Sequence, residues 1–147
     1  METAKPTETL GVFRGWLHPT EPRRFLLLAP GLTSRLIHWD RRRPFAHKSR
    51  GCPHCDELGK PTQRFFVPLG EHPRFFWLLE GGRDLEATFH ECRRRYPHQP
   101  ISVRLVLELR GRFAVRVLAD PRPVKASEWF DLSPGQAEAE IDAAYNR

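Results

Sequence analysis

Apolar and polar positions alternate most clearly from Ile101 to Leu109. Ile101, Val103, Leu105, Leu107 and Leu109 share one side, while Ser102, Arg104, Glu108 and Arg110 share the other, with Val106 among them. Strict period-2 alternation predicts a half-buried strand. Arg110-Gly111-Arg112 reads as a hairpin, with 112–119 pairing back. Shorter apolar runs predict further strands at 10–17, 24–29, 32–39, 63–68 and 74–80, separated by Pro- and Gly-containing turns. One segment changes period. Leu85, Phe89, Cys92 and Tyr96 recur at helical spacing, Asp84 can cap, and Pro97 stops the run. On that face Cys92 reads as a core residue. Ser133-Pro-Gly-Gln136 is a capping-box pattern opening a second helix to about Tyr145, which presents Ala137, Ile141, Ala144 and Tyr145.

The expected fold is therefore mainly β, a small OB-like barrel with one internal helix, a zinc-knuckle loop and a C-terminal helix. The expected division is a flexible tail at 1–9, the barrel at 10–125 with its zinc loop at 38–61, and an acidic helical segment at 126–147. A length of 147 residues suits one core. Fourteen Pro and ten Gly favour short strands over a helix bundle. No apolar run reaches membrane-spanning length and no signal-peptide pattern opens the chain. With three cysteines, the expectation is a reduced, cytoplasmic setting without a disulfide framework.

Charge changes the picture more than composition does. Residues 127–147 hold five acids and one base, a net −4, while the other 126 residues hold 23 bases and 13 acids, a net +10. Between Arg23 and Arg50 there are eight bases and one acid, Asp40. Such a stripe marks a polyanion partner or, more plainly, a solvated face. Aromatics are interleaved with it at Trp39, in Arg64-Phe65-Phe66 and in Arg74-Phe75-Phe76-Trp77. Adjacent strand residues face opposite ways, so one ring of each Phe pair leaves the core unless both sheet faces are covered. An exposed ring beside cations suits single-stranded nucleic acid, where bases stack and phosphates pair. Packing in the core is the plainer role for any one ring. Candidate phosphate contacts are Arg41, Arg42, Arg43, Lys48, Arg50, Arg64 and Arg74; candidate stacking rings are Trp16, Trp39, Phe66 and Trp77.

The segment 40–61 has no core-forming periodicity but carries Cys52-Pro-His-Cys55. With His38 and His47 upstream, two histidines and two cysteines make a plausible tetrahedral Zn2+ set. His54, His72, His90 and His98 are weaker alternatives. Two free thiols in a loop, a catalytic zinc and a redox pair compete with this reading. Cys-Pro-His-Cys is also the active-site tetrapeptide of oxidising thioredoxin-fold enzymes, though Gly59 and Pro61 interrupt the long helix such a site needs. No phosphate-binding glycine loop, nucleophile elbow or paired-carboxylate pattern is present, so no enzyme activity is expected.

The basic stripe, the aromatics and a His followed by a Cys-x2-Cys knuckle resemble the zinc-containing single-stranded-DNA-binding proteins of phages. The resemblance covers about residues 32–80, with different spacings. It implies an OB-fold, a His/Cys zinc site, and an acidic C-terminal region that recruits replication proteins. His38, Cys52 and Cys55 would take the places of the family's His and final Cys pair, and His47 the place of its remaining Cys. The expected function is non-catalytic binding of single-stranded nucleic acid, DNA before RNA, in replication or recombination. A protein partner would dock on the acidic C-terminal segment. The alternatives are a zinc-stabilised adaptor subunit of a nucleoprotein complex and a thiol-disulfide oxidoreductase.

Overall fold

A computed structural model describes residues 11–17, 23–29, 31–39, 44–47, 55, 60–97, 100–110 and 113–145. The strands are β1 (Val12–Trp16), β2 (Arg23–Leu27), β3 (Thr33–Trp39), β4 (Pro44–Ala46), β5 (Thr62–Glu71), β6 (Phe75–Gly81), β7 (Ile101–Arg110) and β8 (Phe113–Pro123). Two helices, α1 (Arg83–Arg95) and α2 (Gln136–Tyr145), complete the described elements with a 3-10 turn at Ala126–Glu128.

All eight strands join one sheet in the order β1-β6-β5-β2-β7-β8, with β3 and β4 branching from β5. Among the described strand pairs only β1–β6 is parallel. The branch exists because β5 is long: residues 62–66 pair with β3, while Leu69 and Gly70 pair with β2 on the same edge. The sheet is mainly β as expected, but its described strands stay open rather than closing into a barrel. Among the described residues, β1 and β8 are the two ends of the paired path.

Each face of the sheet has its own cover. On one side α1 packs over Phe25, Leu27, Phe65, Val67, Leu69, Leu79, Val103 and Leu105 through Leu85 and Cys92, with Phe89 and Tyr96 at the margin. On the other, Phe130, Ala137, Ile141 and Tyr145 pack on Leu26, Ile37, Phe66, Phe76 and Leu78. Double cover explains why residues 65–70 are buried without interruption. It also decides the Phe pairs: Phe65 enters one core and Phe66 the other. The acidic C-terminal segment thus supplies half of a core.

Three local expectations change. The helix α1 begins at Arg83 after Gly82, so Asp84 sits in its first turn, where the helix dipole favours an acid, and does not cap it. The α2 helix begins at Gln136, after Gly135 at φ +75°, rather than at Pro134; the Gln136 Oε1 still accepts the Ser133 backbone N–H at 3.0 Å. The returning strand, expected over 112–119, runs on through Asp120 to Pro123. Its prolines are tolerated because β8 ends the sheet and its outer edge needs no donors.

Candidate metal centre

The register of the β3–β4 hairpin creates the site. Ile37 pairs with Ala46 and His38 with Phe45, and the His47 N–H donates to the Leu36 carbonyl at 2.8 Å, extending the ladder by one residue. His47 therefore stands across from Leu36, one diagonal step from His38 and on the same sheet face. The two ring centroids are 5.0 Å apart. His38 Nε2 and His47 Nδ1 approach to 2.9 Å, and Cys55 Sγ lies 3.5 Å from each nitrogen. His38 is 1% exposed; His47 and Cys55 are half-buried.

These three atoms fit a metal. With metal–N bonds of about 2.0–2.1 Å and a metal–S bond of about 2.3 Å, tetrahedral angles give N···N near 3.3 Å and N···S near 3.6 Å. The S···N edges already match, and the N···N edge needs to open by a few tenths of an ångström. Imidazole and thiolate select zinc or copper over magnesium or calcium. Among the described residues this is the group of His, Cys, Asp and Glu whose ligand atoms converge in this way. His72 and His90 are exposed elsewhere. Cys52, His54 and His98 lie outside the described residues.

The site sits where helical cover ends. Ser34 pairs with Phe65 beneath α1, but Leu36, two residues on along the same face, is 45% exposed. On the opposite face Arg35 donates from Nε to Asp142 Oδ1 of α2 at 3.0 Å.

The nucleic-acid candidates fare unevenly. Phe66 is fully buried, so it offers no face to a base; that expectation is corrected by the cover of α2. Trp16 packs edge-on against Phe66 and Tyr145. Trp77 is half-buried, and its Nε1 donates to Glu71 Oε1 at 3.2 Å. Arg64 Nε donates to Glu80 Oε2 at 2.9 Å, with 16% of its side chain exposed. Arg74 is half-buried in the β5–β6 turn. Trp39 ends β3, but its ring lies outside the described residues, as do Arg41, Arg42, Arg43, Lys48 and Arg50.

Sequence reasoning missed one polar group. Tyr145 Oη donates to Glu80 Oε1 at 2.6 Å, on the carboxylate that also receives Arg64. Burial, then the Glu80 charge and hydrogen bond, push the Tyr145 phenol far above its ordinary range. Cys92, read as core, is 3% exposed, and burial raises its thiol pKa as well.

The chain matches no family model, no curated protein and no solved structure. No described helix is long and apolar enough to cross a membrane.

Proposed function

We propose that this protein is a zinc-stabilised, non-catalytic module that binds single-stranded nucleic acid, DNA before RNA, chiefly through phosphate contacts. The convergence of His38, His47 and Cys55 carries the reading. In the sequence these ligands are interleaved with Arg41, Arg42, Arg43, Lys48 and Arg50, so an ion held by them would tether the most basic stretch of the chain to the end of the sheet. Cys52, three residues before Cys55, is the proposed fourth ligand; a Cys-x2-Cys pair suits one tetrahedral ion. Stacking is a smaller part of the proposal than sequence alone suggested, because the paired Phe rings at 65 and 66 fill the two cores. The burial of those rings also keeps the adaptor reading open, since a module without a ring platform could dock on a protein.

Elemental analysis joined to binding tests the proposal. The protein as purified should carry about one zinc per chain. Cys55→Ser or a strong chelator should remove it, lower the melting temperature and weaken binding of a labelled single-stranded DNA 20-mer. Binding should fall steeply with salt, with a log–log slope near −3.5 for about five phosphate contacts. A metal-free protein whose stability and binding ignore chelator would refute the zinc reading. Salt-independent or absent binding would refute the nucleic-acid reading and favour the adaptor.

A further inference from the structure

We infer that the side of β2, β7 and β8 turned away from α1 is a phosphate-binding track. The inference rests on the nucleic-acid reading above and assigns it a surface that joins Arg24 of the basic stripe to Arg104 and Arg122, which lie outside the stripe. Arg24, Arg104 and Asp120 are direct partners across the three strands, as are Leu26, Ser102 and Arg122 one step along. Directly paired residues share a face, and so do residues two apart on one strand. Three arginines and one acid therefore stand together on one side. The opposite side, with Phe25, Val103 and Leu105, is the one that α1 covers.

Asp120 arranges this group. Its Oδ2 accepts from Arg24 Nη2 at 3.1 Å and from Arg122 Nη2 at 3.2 Å, holding two guanidinium groups beside one carboxylate. Arg24 is fixed further by donating from Nη1 to Ser102 Oγ at 3.0 Å and to the Asp120 carbonyl at 3.2 Å. Arg104 and Arg122 are exposed, with 68% of the Arg122 side chain open to solvent. One carboxylate cannot neutralise three guanidinium groups, so these four side chains together carry a net charge of plus two, with Glu71 and Glu128 on the adjoining cleft. Arg104 lies diagonal to Arg122, about 7–8 Å away, within the span of two long side chains following one backbone. Arg24, Leu26 and Ser102 also border a cleft of about 300 Å³ against Val124 and Glu128, which gives the track a concave margin. Arginine pairs with phosphate oxygens in a planar, two-bond geometry, and phosphate contacts of this kind do not depend on base sequence.

The full-length protein, Arg104→Gln/Arg122→Gln and Arg41→Gln/Arg42→Gln/Arg43→Gln would be titrated with a labelled single-stranded DNA 20-mer at several salt concentrations. Losing two phosphate contacts should flatten the log–log slope by about 1.4 and weaken binding about 25-fold at 0.1 M salt. Arg104→Gln alone, which touches no ion pair described here, should give about half the change in slope and keeps the test interpretable if the double variant folds poorly. Wild-type affinity and slope in both β7–β8 variants, with loss in the triple variant, would overturn the track and leave the proposed function standing. No binding by the wild type at low salt would overturn both.

Discussion

Replacing Tyr145 by Phe removes one oxygen and tests whether α2 is locked to the sheet by chemistry as well as by packing. The lost bond is a 2.6 Å O–H···O contact to Glu80, whose other oxygen keeps Arg64. Hydrogen bonds to charged acceptors contribute about 1.5–3 kcal/mol. The Glu80 side chain is 21% exposed, so water partly replaces the phenol, and a loss of about 1–2 kcal/mol is expected. For a domain of this size that lowers the melting temperature by about 3–6 °C. The pH dependence is more diagnostic. The folded-state phenol pKa is raised, by burial first and by Glu80 second. Its stabilising contribution is fully present below the unfolded value of about 10 and is lost as pH rises from there toward the folded value. The slope approaches −1.4 kcal/mol per pH unit in that window. Denaturant titrations followed by circular dichroism from pH 7 to 11 would show it. Wild type should lose its advantage over Tyr145→Phe above about pH 10, while groups common to both cancel. Parallel curves across the whole range would refute the argument.

Two further substitutions probe the doubly covered sheet. A Cβ at Gly70 would lie 2.9 Å from Phe130 Cζ and 3.0 Å from Leu28 Cδ1, so Gly70→Ala should cost about 1–3 kcal/mol by overpacking; an unchanged denaturation midpoint would show that Phe130 does not close on β5 as described. Phe66→Ala should cost about 3–5 kcal/mol, as a core ring does; a loss of binding at unchanged stability would restore Phe66 as a stacking ring.

The strands were legible where one period dominated. Ile101–Leu109 alternates, and the structure places Ile101, Val103 and Leu105 in the α1-side core. The face of α1 was legible for the same reason. That the sheet stays open instead of closing into the expected barrel was not legible, because closure depends on which edges meet, and local alternation carries no record of that. β4 is three residues long and lies in a segment with no apolar period, so no pattern announces it. The acidic segment looked separable because its charge is conspicuous. Its buried stripe is only Ala137, Ile141 and Tyr145, with Phe130 upstream. The clue that it covers a sheet face lay elsewhere, in the adjacent aromatics of β5. Two neighbouring Phe residues cannot both be buried on a sheet with one covered face.

The ligand set was half spacing and half register. Cys-x2-Cys is visible as a string, whereas His38 and His47 become neighbours only because β4 pairs with β3 in one register. A one-residue slip would turn His47 to the other face, toward the side where Arg35 meets Asp142. Where α1 covers the sheet, large apolar side chains close it. Near Leu36 that cover has ended, and two imidazoles and a thiol meet there instead. Two imidazoles and a thiol can share hydrogen bonds without an ion; an ion held by the same three atoms would turn its binding free energy into folding free energy. On the proposed reading, the metal does at this end of the sheet what α1 does over its middle, and it does so beside the most basic stretch of the chain.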